Sequence, residues 1–147
     1  RLAFVEYYKA HITDYTRPYK GVPELLERLT EQGVQLAVAS NKFHEGTVAL
    51  IDHFFGCERF VAVYGQRVGV PIKPDPTVVA QIVAEADVAR EEVLYVGDSG
   101  VDMQTAVAAD VRSVGVTWGF RSREELIAAG AVHLADRAED ILKLIIR

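Results

Sequence analysis

The sequence predicts an α/β protein in which a parallel sheet is covered by helices on both faces. Short apolar runs with β propensity, at Val34–Ala39, Phe60–Tyr64, Val93–Val96, Arg112–Thr117 and Val132–Ala135, alternate with segments of helical period. Strands separated by helices of this length pair in parallel, because each crossover returns the chain to the same edge. The runs are continuously apolar rather than alternating, as suits strands buried on both faces. The third observation is the stretch Glu92–Ala109, EVLYVGDSGVDMQTAVAA, in which a strand runs into Gly97-Asp98-Ser99-Gly100 and a helix then opens.

In chain order, Leu2, Phe4, Val5, Tyr8 and Ile12 fit one side of a helix that ends near Thr13-Asp14. Tyr15–Gly21 reads as an extended connector, since Arg17 precedes Pro18 and is thereby biased away from helix. A helix from about Pro23 uses proline in its first turn and buries Leu25, Leu26 and Leu29 before Gly33 stops it. After Val34–Ala39, the run Ser40-Asn41-Lys42 closes the strand, and a helix through Val48, Leu50, Ile51 and Phe54 ends at Gly56. Phe60–Tyr64 is followed by a loop holding Lys73-Pro74-Asp75-Pro76, then by a helix from Thr77 to about Ala86. Beyond the central strand-turn-helix come the strand Arg112–Thr117, a helix Arg123–Ala129 stopped by Gly130, the strand Val132–Ala135 and a closing helix Ala138–Ile146.

The chain has 147 residues, enough for one domain with a substantial core. Half of them are hydrophobic and 25% are charged, an ordinary balance for a water-exposed globular protein. The formal charge of -5 comes with no basic cluster, which argues against a nucleic-acid or anionic-membrane surface. An anionic substrate therefore needs local help from a lysine, a helix N-terminus or a metal. Cys57 is the only cysteine, so an intramolecular disulfide is excluded and a cytoplasmic location is compatible. There is no signal-peptide pattern and no apolar run long enough to span a bilayer.

Chemistry-bearing residues gather at strand ends, which in a parallel sheet lie along one edge. Asp98 follows one strand, and Asp102, four residues on, leans toward the same mouth if the helix starts at once. Two carboxylates beside the Ser99 hydroxyl suit a hard cation such as magnesium, which prefers oxygen ligands. The plainer alternative is a capping Asp98 and a solvated Asp102. Ser40 and Asn41 stand where a helix N-terminus would offer N–H groups to a phosphate, or they simply cap that helix. Lys73, on a proline-stiffened loop, could neutralise an anion or be an ordinary surface lysine. Trp118 and Gly119 follow another strand, and Trp118 reads as a packing residue.

In the order Ser-Asn, Lys-Pro-Asp-Pro, Gly-Asp-Ser-x-x-Asp, these motifs resemble those of the haloacid dehalogenase superfamily phosphatases, in particular the phosphoglycolate phosphatase branch. LAVASNK, IKPDP, YVGDSGVDMQTA and GVTWGF-RSREEL carry the likeness, which covers nearly all of the chain from Arg17 onward. The resemblance implies a three-layer Rossmann-like core and a magnesium-dependent phosphatase acting on a small phosphate ester. It implies that Ser40 and Asn41 bind the transferring phosphoryl group and that Lys73 stabilises the charge of nucleophile and phosphate. It implies that Asp98 ligates Mg2+ and that Asp102 supports the metal directly or through water.

Members of that family open with a strand ending in Asp-x-Asp, whose first aspartate attacks phosphorus, and no Asp-x-Asp occurs in these 147 residues. On this resemblance the nucleophile segment and most of a helical cap precede Arg1. Residues 1–16 are then a remnant of cap and hinge, and residues 17–147 a core lacking its first strand. That strand would lie between Val34–Ala39 and Val93–Gly97, so its loss would leave unpaired groups at about 1 to 3 kcal/mol each. A phosphosugar mutase or a pyrophosphatase of the same superfamily is the nearest alternative. A non-catalytic binding module that has lost its nucleophile is the alternative from another class.

Overall fold

The computed structural model describes residues 2–5, 21–119 and 121–145. Among these residues, six parallel strands form one sheet: β1 (Leu2–Val5), β2 (Gln35–Phe43), β3 (Phe60–Gln66), β4 (Val93–Gly97), β5 (Arg112–Val116) and β6 (His133–Ala135). Among the described residues, six α-helices connect or follow them: α1 (Val22–Glu31), α2 (His44–Phe54), α3 (Thr77–Ala86), α4 (Gly100–Ala109), α5 (Arg123–Ala128) and α6 (Ala138–Ile145). The spatial order is β3-β2-β1-β4-β5-β6, so the chain winds outward in one direction through β3 and then in the other from β4. Such a reversal opens a crevice at the carboxyl edge beside the central strands.

Strand alternation divides the core into two layers. Leu36 and Val38 of β2, Leu94 and Val96 of β4, and Val114 and Val116 of β5 pack with Leu26 and Leu29 of α1, Ile51 of α2 and Ile141 of α6. On the other face, Ala37 and Ala39, Val93 and Tyr95 pack with Val79 and Ile82 of α3 and Ala106 of α4. The predicted three-layer α/β architecture is therefore the one observed. Among the described residues, no helix is long and apolar enough to cross a membrane.

The N-terminus corrects the sequence reading. Leu2–Val5 is not the start of a helix but a strand, pairing in parallel with β2 (Leu2 opposite Gln35) and with β4 (Leu2 opposite Val93). The expected gap in the sheet is thus filled by these four residues. The physical reason is the one that made the gap costly: two neighbouring strands with open backbone edges bind whichever apolar extended segment reaches them. The rest of the helix expected up to Thr13, and the connector to Lys20, lie outside the described residues.

Two boundaries also moved. β2 continues through Ser40-Asn41-Lys42 to Phe43, and α2 begins only at His44. β3 runs to Gln66 rather than Tyr64, because Phe43 pairs with Gln66 beyond an irregularity in the ladder.

Because β1 is bonded on both sides, its amide hydrogens should exchange as slowly as those of residues 36–39 and 93–96 in the strands that flank it. Hydrogen–deuterium exchange with mass spectrometry checks this, and free exchange at residues 3–5 would contradict the central placement.

Candidate active site

The site begins with an unusual lysine. Lys73, in the loop between β3 and α3, is 5% exposed, so it is not the solvated side chain that a lysine usually is. Its ammonium donates to the Asp102 carboxylate (Nζ to Oδ1, 2.7 Å) and to the Ala39 carbonyl at 3.1 Å. A buried charge persists only when it is paired and hydrogen-bonded, and both conditions are met here.

Asn41 fixes the backbone beneath that lysine. Its Oδ1 accepts the Lys73 N–H at 2.9 Å and its Nδ2 donates to the Lys73 carbonyl at 3.1 Å. Neither Ser40 nor Asn41 caps α2, which starts at His44 with Phe43 as an N-cap that forms no side-chain bond. The Ser40 hydroxyl accepts the Lys42 N–H at 3.1 Å, which leaves its own proton to donate elsewhere.

At the neighbouring strand end, the turn after β4 is built around Asp102. Ser99, not Asp98, is the N-cap of α4, its hydroxyl accepting the Asp102 N–H at 3.3 Å. The Asp102 Oδ2 accepts the Asp98 N–H at 3.2 Å and the Ser99 hydroxyl at 3.0 Å, and its Oδ1 also accepts the Tyr95 hydroxyl at 3.4 Å. Gly97 makes room for this, since a Cβ there would collide with the Cβ of Asp102. Asp102 is 2% exposed with both oxygens engaged, so it faces the lysine rather than standing open beside Asp98.

Asp98 is the opposite case. It is 3% exposed, and neither carboxylate oxygen has a hydrogen-bond partner. Burial and the nearby Asp102 charge push its pKa up to about 6, while its own amide and the Lys73 and Arg121 charges pull the other way. An orphaned buried carboxylate is a group in want of a cation. Among the described residues, no set of three His, Cys, Asp or Glu side chains forms a metal cluster. A cation that retains water and binds substrate oxygens needs only one or two protein carboxylates, and Mg2+ is of that kind. The residues present fit such an ion through Asp98.

The structure thus brings Lys73, Asn41, Asp98 and Asp102 together, with Ser40 adjoining along β2. Sequence reasoning missed Tyr95, whose hydroxyl is the one polar group in an otherwise aliphatic strand, and the carbonyl of Ala39, which carries no side-chain signal at all. Trp118 packs against the core, as its residue type suggested. A cavity of about 680 Å³ lies between α1 and α6, lined by Leu25, Arg28, Trp118, Arg137 and Leu142, but none of the five site residues borders it.

Residues 2–116 match the model of the haloacid dehalogenase-like hydrolases. A phosphoglycolate phosphatase of Mesorhizobium japonicum is 34% identical over 120 residues, covering 82% of this chain and 53% of that protein. Another, of Pectobacterium atrosepticum, is 32% identical over 145 residues, covering 99% of this chain and 62% of that protein. A crystal structure from Lactobacillus delbrueckii subsp. bulgaricus, provisionally designated a phosphoglycolate phosphatase, superposes with a TM-score of 0.86 at 35% identity. It covers 92% of this chain and 56% of that one. The chain therefore spans between half and two thirds of the length of these relatives.

Two outcomes follow from the geometry. Lys73→Met leaves Asp102 buried without its cation and should cost about 3 to 5 kcal/mol in urea denaturation, with Lys73→Met/Asp102→Asn losing less than the two single changes added. For Asp98, a pKa raised above the unfolded value means that the folded state binds the extra proton between about pH 4 and 6, so this group favours folding at low pH and opposes it as pH rises. In chelator, Asp98→Asn should therefore out-melt the wild type at about pH 7.5, with the difference closing as pH falls to about 4. A pH-independent difference would contradict the assignment.

Proposed function

The chain belongs to the haloacid dehalogenase-like hydrolases, and from that premise we propose that the protein containing it is a magnesium-dependent phosphatase of a small phosphomonoester, phosphoglycolate or a close analogue. The observation that carries this reading is the pairing of a buried, anchored ammonium at Lys73 with the two bare oxygens of Asp98 on the same sheet edge. Phosphoryl transfer asks little covalent work of a protein and much charge compensation, which is what this pairing offers. The named relatives are phosphoglycolate phosphatases, and their name supports that substrate class for this chain.

In this reading Asp98 holds Mg2+, which when bound supplies positive charge to the phosphoryl oxygens. Asp102 acts one step back: it locks the turn through Ser99 and the Asp98 amide, and it keeps the Lys73 ammonium in place. Lys73 balances charge on the phosphate and on the attacking carboxylate. The Ser40 hydroxyl, which accepts the Lys42 amide, donates its proton to a phosphoryl oxygen. Asn41 aids the phosphate site chiefly by holding the Lys73 backbone, with one amide hydrogen left for the phosphate.

The family resemblance supports an aspartate carboxylate as the attacking group, one that these 147 residues, with no Asp-x-Asp and with Leu2–Val5 in the central strand position, do not supply. That carboxylate forms a bond to phosphorus as the ester P–O bond breaks, and the departing alkoxide takes a proton from a second acid. Water then attacks the aspartyl-phosphate and releases phosphate. The substrate is a soluble small molecule rather than a nucleic acid or a membrane component, consistent with the absence of a basic cluster, and the setting is the cytoplasm.

The full-length protein should release phosphate from 2-phosphoglycolate only with Mg2+, and Asp98→Asn should lower kcat/KM at least about a hundredfold. The 147-residue chain alone should show no turnover. Phosphate release that survives a chelator, or that Asp98→Asn leaves unchanged, would overturn the metal assignment.

A further inference from the structure

We infer that Gly119, in the loop between β5 and α5, is a positioning residue for the Asp98 carboxylate and that Asp136 pins the loop that carries it; this rests on Asp98 being the cation-binding acid. A Cβ at position 119 would lie 2.6 Å from Asp98 Oδ2, 2.8 Å from its Cβ and 3.0 Å from its Cγ. Among the described residues, the glycines that adopt positive φ are Gly21, Gly33, Gly56, Gly69 and Gly130, and Gly119 is not one of them. Its φ is therefore not what demands glycine there, whereas space against Asp98 does. Neither Asp98 oxygen has a hydrogen-bond partner, so no such partner anchors its side chain. The close approach of position 119, where a Cβ would collide with the carboxylate, limits it instead.

A wall of this kind works only if it is held. The Thr117 N–H donates to the Ala135 carbonyl at 3.0 Å, and the Thr117 hydroxyl donates to Asp136 Oδ1 at 2.6 Å. From the other end of the loop, Arg123 Nη1 donates to the same Asp136 oxygen at 2.7 Å. One carboxylate oxygen just past β6 thus holds Thr117 on one side of Gly119 and Arg123 on the other. The helix that follows braces the opposite side of the turn, where Glu125 Oε2 accepts the Gly100 N–H at 3.1 Å. The Asp98 turn is consequently gripped from outside by a loop whose inner surface has no side chain at the point of contact.

Gly119→Ala should push the carboxylate out of its cation-binding orientation. Mn2+ titration of the full-length protein, followed by electron paramagnetic resonance, should show a Kd raised at least about tenfold, the scale seen when the supports of metal ligands are altered. Far-UV circular dichroism should match the wild type. A purely structural role for Gly119 would lower the melting temperature without moving the Kd of the folded protein, and a folded Gly119→Ala protein with wild-type Mn2+ affinity overturns the inference. If Gly119→Ala does not fold, Asp136→Ala is the variant to read: released at both ends, the loop should still weaken Mn2+ binding severalfold, and unchanged affinity again overturns it. Asp98→Asn separates the two levels, because Mn2+ affinity retained in that variant refutes the cation assignment itself rather than the role of the loop.

Discussion

The ion pair between Lys73 and Asp102 is the constraint on which the site depends. Its partners come from a loop and a helix 29 residues apart, and the 2.7 Å contact is almost dry. A pair so buried gives little net stability, since desolvation offsets most of the attraction. What it gives is geometry. Once the ammonium is committed to Asp102 and to the Ala39 carbonyl, the loop from β3 to α3 is tied to the ends of β2 and β4 at once, and Asn41 repeats the tie through the Lys73 backbone.

The same commitment leaves Asp98 alone. Two adjacent acids cannot both be satisfied by one lysine, and the hydrogen bonds of the turn go to Asp102. Asp98 is left buried, unpartnered and reluctant to ionise, with its pKa pushed up to about 6. Beside the matched pair of Lys73 and Asp102, this is a local conflict of the sort found where function outweighs stability. The two carboxylates therefore have different jobs set by environment, one structural and electrostatic, the other open to a cation.

Much of this was legible in the sequence. The strands at Gln35, Val93 and Arg112 announce themselves through apolar runs and the helices through Leu25, Leu26 and Leu29 or Val79 and Ile82, because burial on both faces leaves no room for polar residues. Asp98 and Asp102 were legible because polar residues at strand ends converge in any parallel sheet, and Lys73, on a loop, because the order of motifs matched a known family. What was not legible follows from tertiary context. Leu2–Val5 has a helical apolar spacing, yet two open strand edges outweigh propensity in so short a segment. The Asp98 and Asp102 pair looks symmetrical as spacing, and only the lysine's position breaks the symmetry. Gly119 carries no side-chain signal, and only the space that a Cβ there would need against Asp98 marks it out.

The central claim is that the bare oxygens of Asp98 receive a divalent cation beside the anchored lysine. Anomalous diffraction at the manganese edge, on crystals of the full-length protein grown with Mn2+, tests this most directly. The account predicts a peak within bonding distance of an Asp98 carboxylate oxygen while the Lys73 ammonium stays on Asp102. A peak bound elsewhere with Asp98 still unpartnered, or a lysine swung away from Asp102 to leave both acids on the metal, would contradict it.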